Sequence, residues 1–397
     1  LTASTIIIGA GPAGLAAAIA SGRVTLLLER NPYAGRKLLL SGNGQCNLTN
    51  SLPREEFLAR CGKSAPFLKP AFHAFDNTRL IELLGSNGCP LLIREDGKVF
   101  PASLKSADVR DTLLKLASAA GARLIPGTQI ATVQKDRSFL LRSSDGSTFK
   151  CDRLILACGG ASYPDTGSDG SSYRLASQLG HAVKAPLPAL AAVFIQESFP
   201  YAQLAGVSVR NTSLSFGLPG HRHRRSGDLL FTHQGLSGPL ILDNSHLLNP
   251  GNRIHLHLLP EADRIIPDLL AKNQKTTLNK ALKRLRLPHS LLLAILQLLG
   301  VDPAQTCCTT SKSQRNRIAQ ALLDLEFTIS GIESLDTAMA THGGIPLKEV
   351  RSKTMESRVC PGLFLAGELL DYDLPTGGFN IQMAISTGYL AGSQFRK

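Results

Sequence analysis

Residues 5–8 are a run of four β-branched side chains that gives way at once to Gly9-Ala10-Gly11-Pro12-Ala13-Gly14 and then to the small, helix-compatible stretch 15–20. Strand, tight turn and helix in that order open a dinucleotide-binding βαβ unit, and the glycine spacing restricts the chain to α/β folds that hold a nucleotide at a helix start. Gly9 permits the turn, Gly11 lets backbone N–H groups approach a pyrophosphate, and Gly14 lets the helix pack closely. Pro12 and Ala13 fill the first helical turn, whose positive end faces the phosphates. Residues 23–28 read as the second strand and end at Glu29, 20 residues after Gly9. A carboxylate there accepts from ribose hydroxyls and argues against a phosphate on that ribose, with Arg30 beside it in the same set. The pattern alone does not choose between NAD and FAD.

The carboxyl end supplies the choice. Residues 362–368 read as a strand ending in Gly367 and Glu368, an acid suited to a ribityl chain. Asp371 follows, then Thr376-Gly377-Gly378-Phe379-Asn380-Ile381-Gln382 and a small-residue helix over 384–391. Such a helix can aim its amino end at a flavin pyrimidine and stabilise negative charge there by its dipole. An NAD domain has no use for this second element, so FAD is the expected cofactor. A third strand, 153–157, runs into Cys158-Gly159-Gly160, with Ala157, Cys158 and Gly159 expected beside the dinucleotide, and Ile130 is placed in the same cofactor set. Cys158 reads as a small packing residue. No second GxGxxG is present, so NADH or NADPH is expected to dock transiently, unless another protein delivers the electrons.

At 397 residues the chain suits two or three domains, and 43% hydrophobic against 18% charged residues is the balance of a folded protein. Eight cysteines without a CxxC pair or a preceding signal peptide point to reduced thiols and a cytoplasmic location, and no metal site is expected. The chain opens on Leu1 rather than Met, as expected of a start that is missing or processed, while the first strand reads as nearly whole. The strongest apolar run, 291–299, is far short of the roughly 20 residues a membrane span needs. A net charge of +13 favours a polyanionic partner, though many basic enzymes act on small molecules.

The stretch Gly35-Arg36-Lys37-Leu38-Leu39-Leu40-Ser41-Gly42-Asn43-Gly44-Gln45-Cys46-Asn47-Leu48-Thr49-Asn50 resembles the BaiN/RdsA family of FAD-dependent oxidoreductases, the YhiN-type flavoproteins. The stretches 157–170, 227–239 and Lys353-Thr354-Met355-Glu356-Ser357 agree, as does the carboxyl-terminal block, so the resemblance covers essentially the whole chain. It implies an α/β fold in which a Rossmann-like FAD domain, 1–187 with 343–397, is interrupted by a β-rich domain, 188–262 with 325–342, that carries a helical subdomain at 263–324. The residues agree on their own account: 190–218 and 253–259 alternate in strand fashion, and 263–299 has helical periodicity with a basic face. Where the family usually has a glycine and an arginine, this chain has Asn43 and Gln45.

The family loop is expected over the cofactor, which places Arg36, Lys37, Ser41, Gly42, Asn43, Gly44, Cys46 and Asn47 in the binding set. Arg36 or Lys37 can offset pyrophosphate or reduced-flavin charge. Cys46 is either a general acid or a buried structural thiol, and with Lys37 and His233 it completes the catalytic candidates. His255 and His257, and His221 and His223 among arginines, lack a third ligand and do not read as a metal site. The resemblance points to hydride delivery to a conjugated C=C bond, one branch being linked to bile-acid intermediates and another to a uridine of ribosomal RNA. The charge and the basic segments 221–225 and 280–286 favour ribosomal RNA as partner. The alternatives are a small-molecule ene-reductase or dehydrogenase, or a non-catalytic flavin-binding electron carrier.

Overall fold

In the computed structural model, which describes residues 1–22, 24–217 and 223–395, the β-branched amino-terminal run forms strand β1 (Thr2–Ile8). Gly11 caps helix α1 (Pro12–Ser21), and Pro12 stands in its first turn, where a missing N–H costs nothing. Strand β2 (Thr25–Leu28) is buried along its whole length and lies parallel to β1, with Ile6 opposite Leu26. Arg23, expected to open that strand, lies outside the described residues.

Strand β3 (Ala122–Ile125) extends the sheet beyond β2, and β4 (Thr148–Leu156) flanks β1 on the other side. The carboxyl-terminal strand β5 (Leu363–Leu365) pairs parallel with the second half of β4, Leu154 to Leu156. The parallel order is therefore β3-β2-β1-β4-β5, and an antiparallel hairpin, Ile130–Lys135 with Phe139–Ser143, pairs with the first half of β4. Near-continuous apolar runs such as Ile6-Ile7-Ile8 and Leu26-Leu27-Leu28 suit a parallel sheet covered on both faces.

The final helix α2 (Phe379–Ser393) packs on α1 with almost no space between backbones. A Cβ built on Gly388 would lie 2.0 Å from the Ala13 carbonyl oxygen, and one on Gly392 would lie 2.1 Å from that of Ala17. Two glycines four apart on one helix thus receive two carbonyls four apart on the other. That contact fixes the amino end of the last helix beside the first.

The chain divides into two compact units, Leu1–Ala189 with Leu335–Lys397 and Leu190–Ser334. The first unit resumes at Leu335, ahead of the return expected at 343. Gly343 and Gly344 are the last residues of strand Ala340–Gly344, which pairs antiparallel with Lys184–Ala189, Ala340 opposite Ala189. A Cβ on Gly343 would meet the Ala185 carbonyl at 2.4 Å, so this glycine marks close strand approach.

The second unit is a closed six-stranded antiparallel barrel. Its order is Val193–Ile195, Gly235–Ser237, His223–Phe231, Ser208–Phe216, Arg253–His257 and Leu325–Ile332, which returns to the first strand. The helical turn Tyr201–Leu204 interrupts the strand pattern expected over 190–218. Helices Ala262–Lys272, Leu278–Leu282, His289–Leu298 and Lys312–Leu323 lie between the fifth and sixth strands of the barrel order. Phe231, Phe327, Leu256 and Ile266 are buried in the core that barrel and helices share.

Candidate active site

The turn after β1 combines three glycines with three different surroundings. Gly9 has φ +98°, and a Cβ there would stand 2.5 Å from the Ala157 carbonyl at the end of β4. A Cβ on Gly14 would stand 1.8 Å from the Gly9 carbonyl, so α1 rests directly on the turn. At Gly11 a Cβ would meet nothing within 4 Å. Glu29 is buried and anchors this turn: Oε2 accepts from the Ala10 N–H at 2.8 Å, and Oε1 accepts from the Asn31 N–H at 2.9 Å and its Nδ2 at 2.8 Å. A carboxylate offers about four acceptor sites, so one remains for a hydroxyl. Arg30 pairs with Asp169 at 2.7 Å and donates to Gly167 O and Ser171 Oγ, so it staples the 167–171 loop. Cys158 Sγ donates to Ile8 O at 3.3 Å, Gly159 lies against Ser168, and Ile130 is buried in the core as the first residue of its strand.

The family loop begins as a helical turn, Arg36–Leu40, with Arg36 exposed. Ser41 Oγ donates to Leu38 O, and Cys46 N–H closes the loop on Ser41 O at 2.8 Å. Asn43 at φ 56° and Cys46 at φ 60° are non-glycine residues in the left-handed region, flanked by Gly42 and Gly44, and such backbone strain gathers at functional sites. Cys46 itself is fully buried in the core. Burial pushes its thiol up to about 12, with the Ser41 hydrogen bond offsetting only part. Asn47 Oδ1 is buried without a partner, which in a closed interior costs about 1–3 kcal/mol. Beyond it, Thr49 Oγ1 donates to Gln382 Oε1 at 2.7 Å, and a Cβ on Gly378 would lie 2.6 Å from the Thr49 backbone. The loop is therefore seated on the amino end of α2. Gln45, in the position usual for arginine, accepts from Arg94, whose guanidinium lies 3.9 Å from the Phe100 ring centroid.

Lys37 does not stand free. Its Nζ meets Glu368 Oε2 at 2.7 Å and Ser162 Oγ at 2.5 Å. Glu368 Oε1 accepts from Ser162 Oγ at 3.1 Å and from the Thr341 N–H at 2.8 Å. The Thr341 hydroxyl in turn accepts from the N–H groups of Ala161 and Ser162. One lysine and one glutamate, 331 residues apart, thus tie together four segments of the first unit. Their side chains are 24% and 21% exposed, so the pair contributes more to position than to stability. Gly367 donates its N–H to Thr387 Oγ1, and Asp371 faces Lys184 at 3.4 Å. Thr376 and Gly377 lead into α2, where Phe379 turns into the core against Phe57, ring centroids 4.5 Å apart, and Ile381 is half-buried. Asn380 brackets Leu374, accepting from its N–H and donating to its carbonyl.

Sequence reasoning passed over a histidine here. His342, one residue from Thr341, contacts Asp373 Oδ1 through Nδ1 at 2.7 Å and Lys184 Nζ through Nε2 at 3.0 Å. Its signal was the string Thr341-His342-Gly343-Gly344, read only as a return point. A second network is sealed: His181 Nδ1 meets Glu349 at 2.8 Å and Nε2 meets Ser357 Oγ at 2.8 Å. Ser357 is buried and its oxygen accepts from the N–H groups of Val359 and Cys360, so this Ser-His-Glu set locks a turn and offers no nucleophile. In the second unit, His233 is exposed on the turn between His223–Phe231 and Gly235–Ser237. His223, Arg224 and Arg225 are exposed, while His221 and Arg222 lie outside the described residues. His255 bonds to Asp324, and His257 to Leu323 O and Ser215.

These residues fit a flavin adenine dinucleotide. The open space at Gly11 lies at the start of a helix whose first N–H groups have no intrahelical acceptor, the arrangement a diphosphate needs. Asn47 Oδ1, Ser168 Oγ and Tyr173 OH, all in the first unit, are buried without a hydrogen-bond partner. Among the described residues, no helix is long and apolar enough to cross a membrane, and all eight cysteines are free.

Comparison with known proteins agrees with this reading. The model of the HI0933-like protein Rossmann domain matches residues 3–394. The 3-dehydro-bile acid delta(4,6)-reductase of Clostridium scindens is 31% identical, with 97% of each chain covered. The ribosomal RNA dihydrouridine synthase of Escherichia coli is 30% identical over 97% of this chain and 96% of that protein. A 3-ketosteroid-delta4-(5alpha)-dehydrogenase from Rhodococcus jostii, solved with 4-androstene-3,17-dione, superposes with a TM-score of 0.55 at 16% identity, covering 100% of this chain and 97% of that one, a likeness of fold. A family model that spans nearly the whole chain, and relatives aligned end to end, place this protein in the HI0933-like family of FAD-dependent oxidoreductases.

Proposed function

We propose that this protein reduces an activated C=C bond and that its preferred substrate is a uracil base in ribosomal RNA. The observation that carries the reaction type is the end-to-end match to two relatives whose names share one operation, addition of two hydrogens across a conjugated double bond. Bound FAD would supply the hydride at flavin N5, the cofactor's own chemistry. The chain's residues hold and orient it. Gly11 and the first turn of α1 receive the diphosphate, Glu29 a ribose, and Asn47, Ser168 and Tyr173 the buried polar edge. Gly378 and the amino end of α2 favour negative charge at the pyrimidine. Lys37, Ser162 and Glu368 pin the loop that closes over it.

RNA is favoured over a small substrate by charge. The net +13 is accompanied by exposed cations at Arg224, Arg225, Lys280, Lys283, Arg284 and Arg286 in the second unit. Phosphate contacts of this kind make affinity fall steeply with salt, by a log–log slope near −0.7 per contact for single strands. The small-molecule reading rests on the bile-acid reductase, which is as similar as the RNA enzyme. NADH or NADPH as transient reductant and a cytoplasmic site of action complete the proposal.

Nucleoside mass spectrometry of ribosomal RNA from cells lacking the gene tests the substrate. Loss of one dihydrouridine, restored by the wild-type gene, is the expected result. Unchanged dihydrouridine together with an accumulated unsaturated metabolite would transfer the assignment to the small-molecule branch.

A further inference from the structure

The helices inserted in the second unit carry a charge that flavin binding does not call for. Residues 272–317 hold nine lysines and arginines against one acid, Asp302, so this one segment carries +8 of the chain's +13. All of the nine but Arg315 are exposed. Among the described residues none of them forms an ion pair, and the pair these helices do make, Arg264 with Glu261, lies outside the segment. We propose that this insertion is the surface that holds RNA, and that it grips the sugar–phosphate backbone without reading bases; this rests on the RNA reading above and names its surface.

Helix Lys312–Leu323 shows how the surface is built. Ile318, Ala319, Ala321 and Leu322 are buried in the core shared with the barrel, which turns the opposite face outward. On that face Lys312, Ser313, Asn316, Arg317 and Gln320 line an open groove of about 560 Å³. Two cations with three neutral hydrogen-bonding side chains are the types that contact phosphate and sugar oxygens. Among the described residues, no carboxylate lines the groove to repel a phosphate. Arg317 is steadied by donating to Leu299 O at 2.7 Å, and its guanidinium keeps further N–H groups for a ligand.

The second cationic stretch is fastened to the same body. Helix Leu278–Leu282 buries Leu278, Ala281 and Leu282 and leaves Lys280 exposed, with Lys283, Arg284 and Arg286 exposed in the turn that follows. The Leu278 N–H donates to Gln305 O at 2.8 Å, and Gln305 Nε2 donates to Thr310 Oγ1 at 3.1 Å, two residues ahead of Lys312. Short contacts thus join the stretch that carries Lys280 to the one that carries Lys312. Residues 262–324 contain no Phe, Tyr or Trp. Sequence-specific RNA recognition splays bases onto such rings, so this surface holds a strand without selecting within it. A membrane surface fits less well, because lipid-binding helices set large apolar side chains beside their cations and the groove has none. Unpaired like charges also repel one another in the free protein, and a polyphosphate relieves that repulsion.

Fluorescence anisotropy of the flavin-loaded protein with a labelled single-stranded fragment of ribosomal RNA, repeated across salt concentrations, tests the surface. A fragment of the same composition in scrambled order is the second probe. K312Q/R317Q should lower the slope of log affinity against log salt by about 1.4, and K280Q/K283Q/R284Q/R286Q by about 2.8, at about 0.7 per phosphate contact. The charge-conserving K312R/R317K should keep the wild-type slope. All the replaced side chains are exposed, and the variants are compared at an unchanged flavin spectrum and melting midpoint. The scrambled fragment should bind about as tightly as the original. A wild-type slope in either Gln variant, or a slope lost in K312R/R317K, overturns the assignment of the surface. A preference of about tenfold or more for the original order overturns the base-blind grip. Phosphatidylserine vesicles held more tightly than the RNA, with the loss in the same variants, overturn the choice of partner. Wild-type protein that binds ribosomal RNA no better at low salt than at high overturns the RNA reading itself, and this inference with it.

Discussion

Gly11 and Gly14 lie three residues apart in one turn and answer to opposite constraints. At Gly14 a methyl group would stand 1.8 Å from the Gly9 carbonyl, so any side chain pushes α1 off β1. At Gly11 it would touch no protein atom and would sit at φ −78°, a value any residue adopts. Gly11→Ala is therefore expected to fold with a midpoint close to that of the parent, while its methyl group fills the space required for the diphosphate. Flavin fluorescence titration should show FAD affinity reduced tenfold or more, about 1.4 kcal/mol, whereas thermal unfolding of the apoprotein should move little. Gly14→Ala should lose both. If Gly11→Ala bound FAD normally, the diphosphate would not lie at this turn.

Single residues whose place follows from local geometry were legible in the sequence: the three glycines belong to a turn only six residues long. Pairs that depend on distant approach were not. Lys37 and Glu368 each read as cofactor contacts, and neither reading could include the other because nothing local brings residue 37 to residue 368. His342 was missed for the same reason. Its partners Lys184 and Asp373 come from separate segments, and a lone histidine before two glycines has no pattern of its own.

At the scale of elements, the small-residue helix near the carboxyl end was expected for its dipole, and its packing carries at least as much of the design. It runs from Phe379 to Ser393, longer than the 384–391 stretch read from composition, because Gly378 caps it against Thr49 and Asn380 secures its first turn. That Gly388 and Gly392 receive the Ala13 and Ala17 carbonyls was invisible without the partner helix. Gly388→Leu should force α2 away from α1 and displace its amino end from the site. Overpacking of this kind costs about 1–3 kcal/mol. Urea unfolding should show that loss, and FAD affinity should fall with it although residue 388 sits about two and a half turns from the helix start. Gly388→Leu with unchanged stability would mean that the crossing is looser than the carbonyl contacts imply. The sealed Ser357-His181-Glu349 set makes the same point about motifs: the Lys353–Ser357 stretch reads as a family signature, and its buried hydroxyl serves the turn that leads into β5.

For the molecule as a whole, the order of elements follows from the sequence, since a nucleotide motif at one end and a glycine-rich helix at the other require both ends in one domain. The barrel closure does not follow, because alternation specifies strands without specifying which strand meets which. The point of return was displaced by eight residues for a related reason, as the glycine pair at 343–344 ends a strand. That strand pairs with Lys184–Ala189 and places Ala340 opposite Ala189, so the first unit is left and re-entered through a two-stranded ribbon of its own. Replacing Leu190–Ser334 by a short Gly/Ser linker therefore closes a hairpin and requires no rearrangement of the parallel sheet. Every residue assigned here to FAD lies in Leu1–Ala189 or Leu335–Lys397. The shortened protein is expected to purify yellow, to bind FAD within about tenfold of the parent, and to lose the salt-dependent affinity for ribosomal RNA that is proposed for the exposed cations of the second unit. Visible absorbance and RNA binding at two salt concentrations measure the two halves separately. A colourless product would show that the second unit is needed to build the flavin site, and undiminished RNA binding would move the RNA surface to the first.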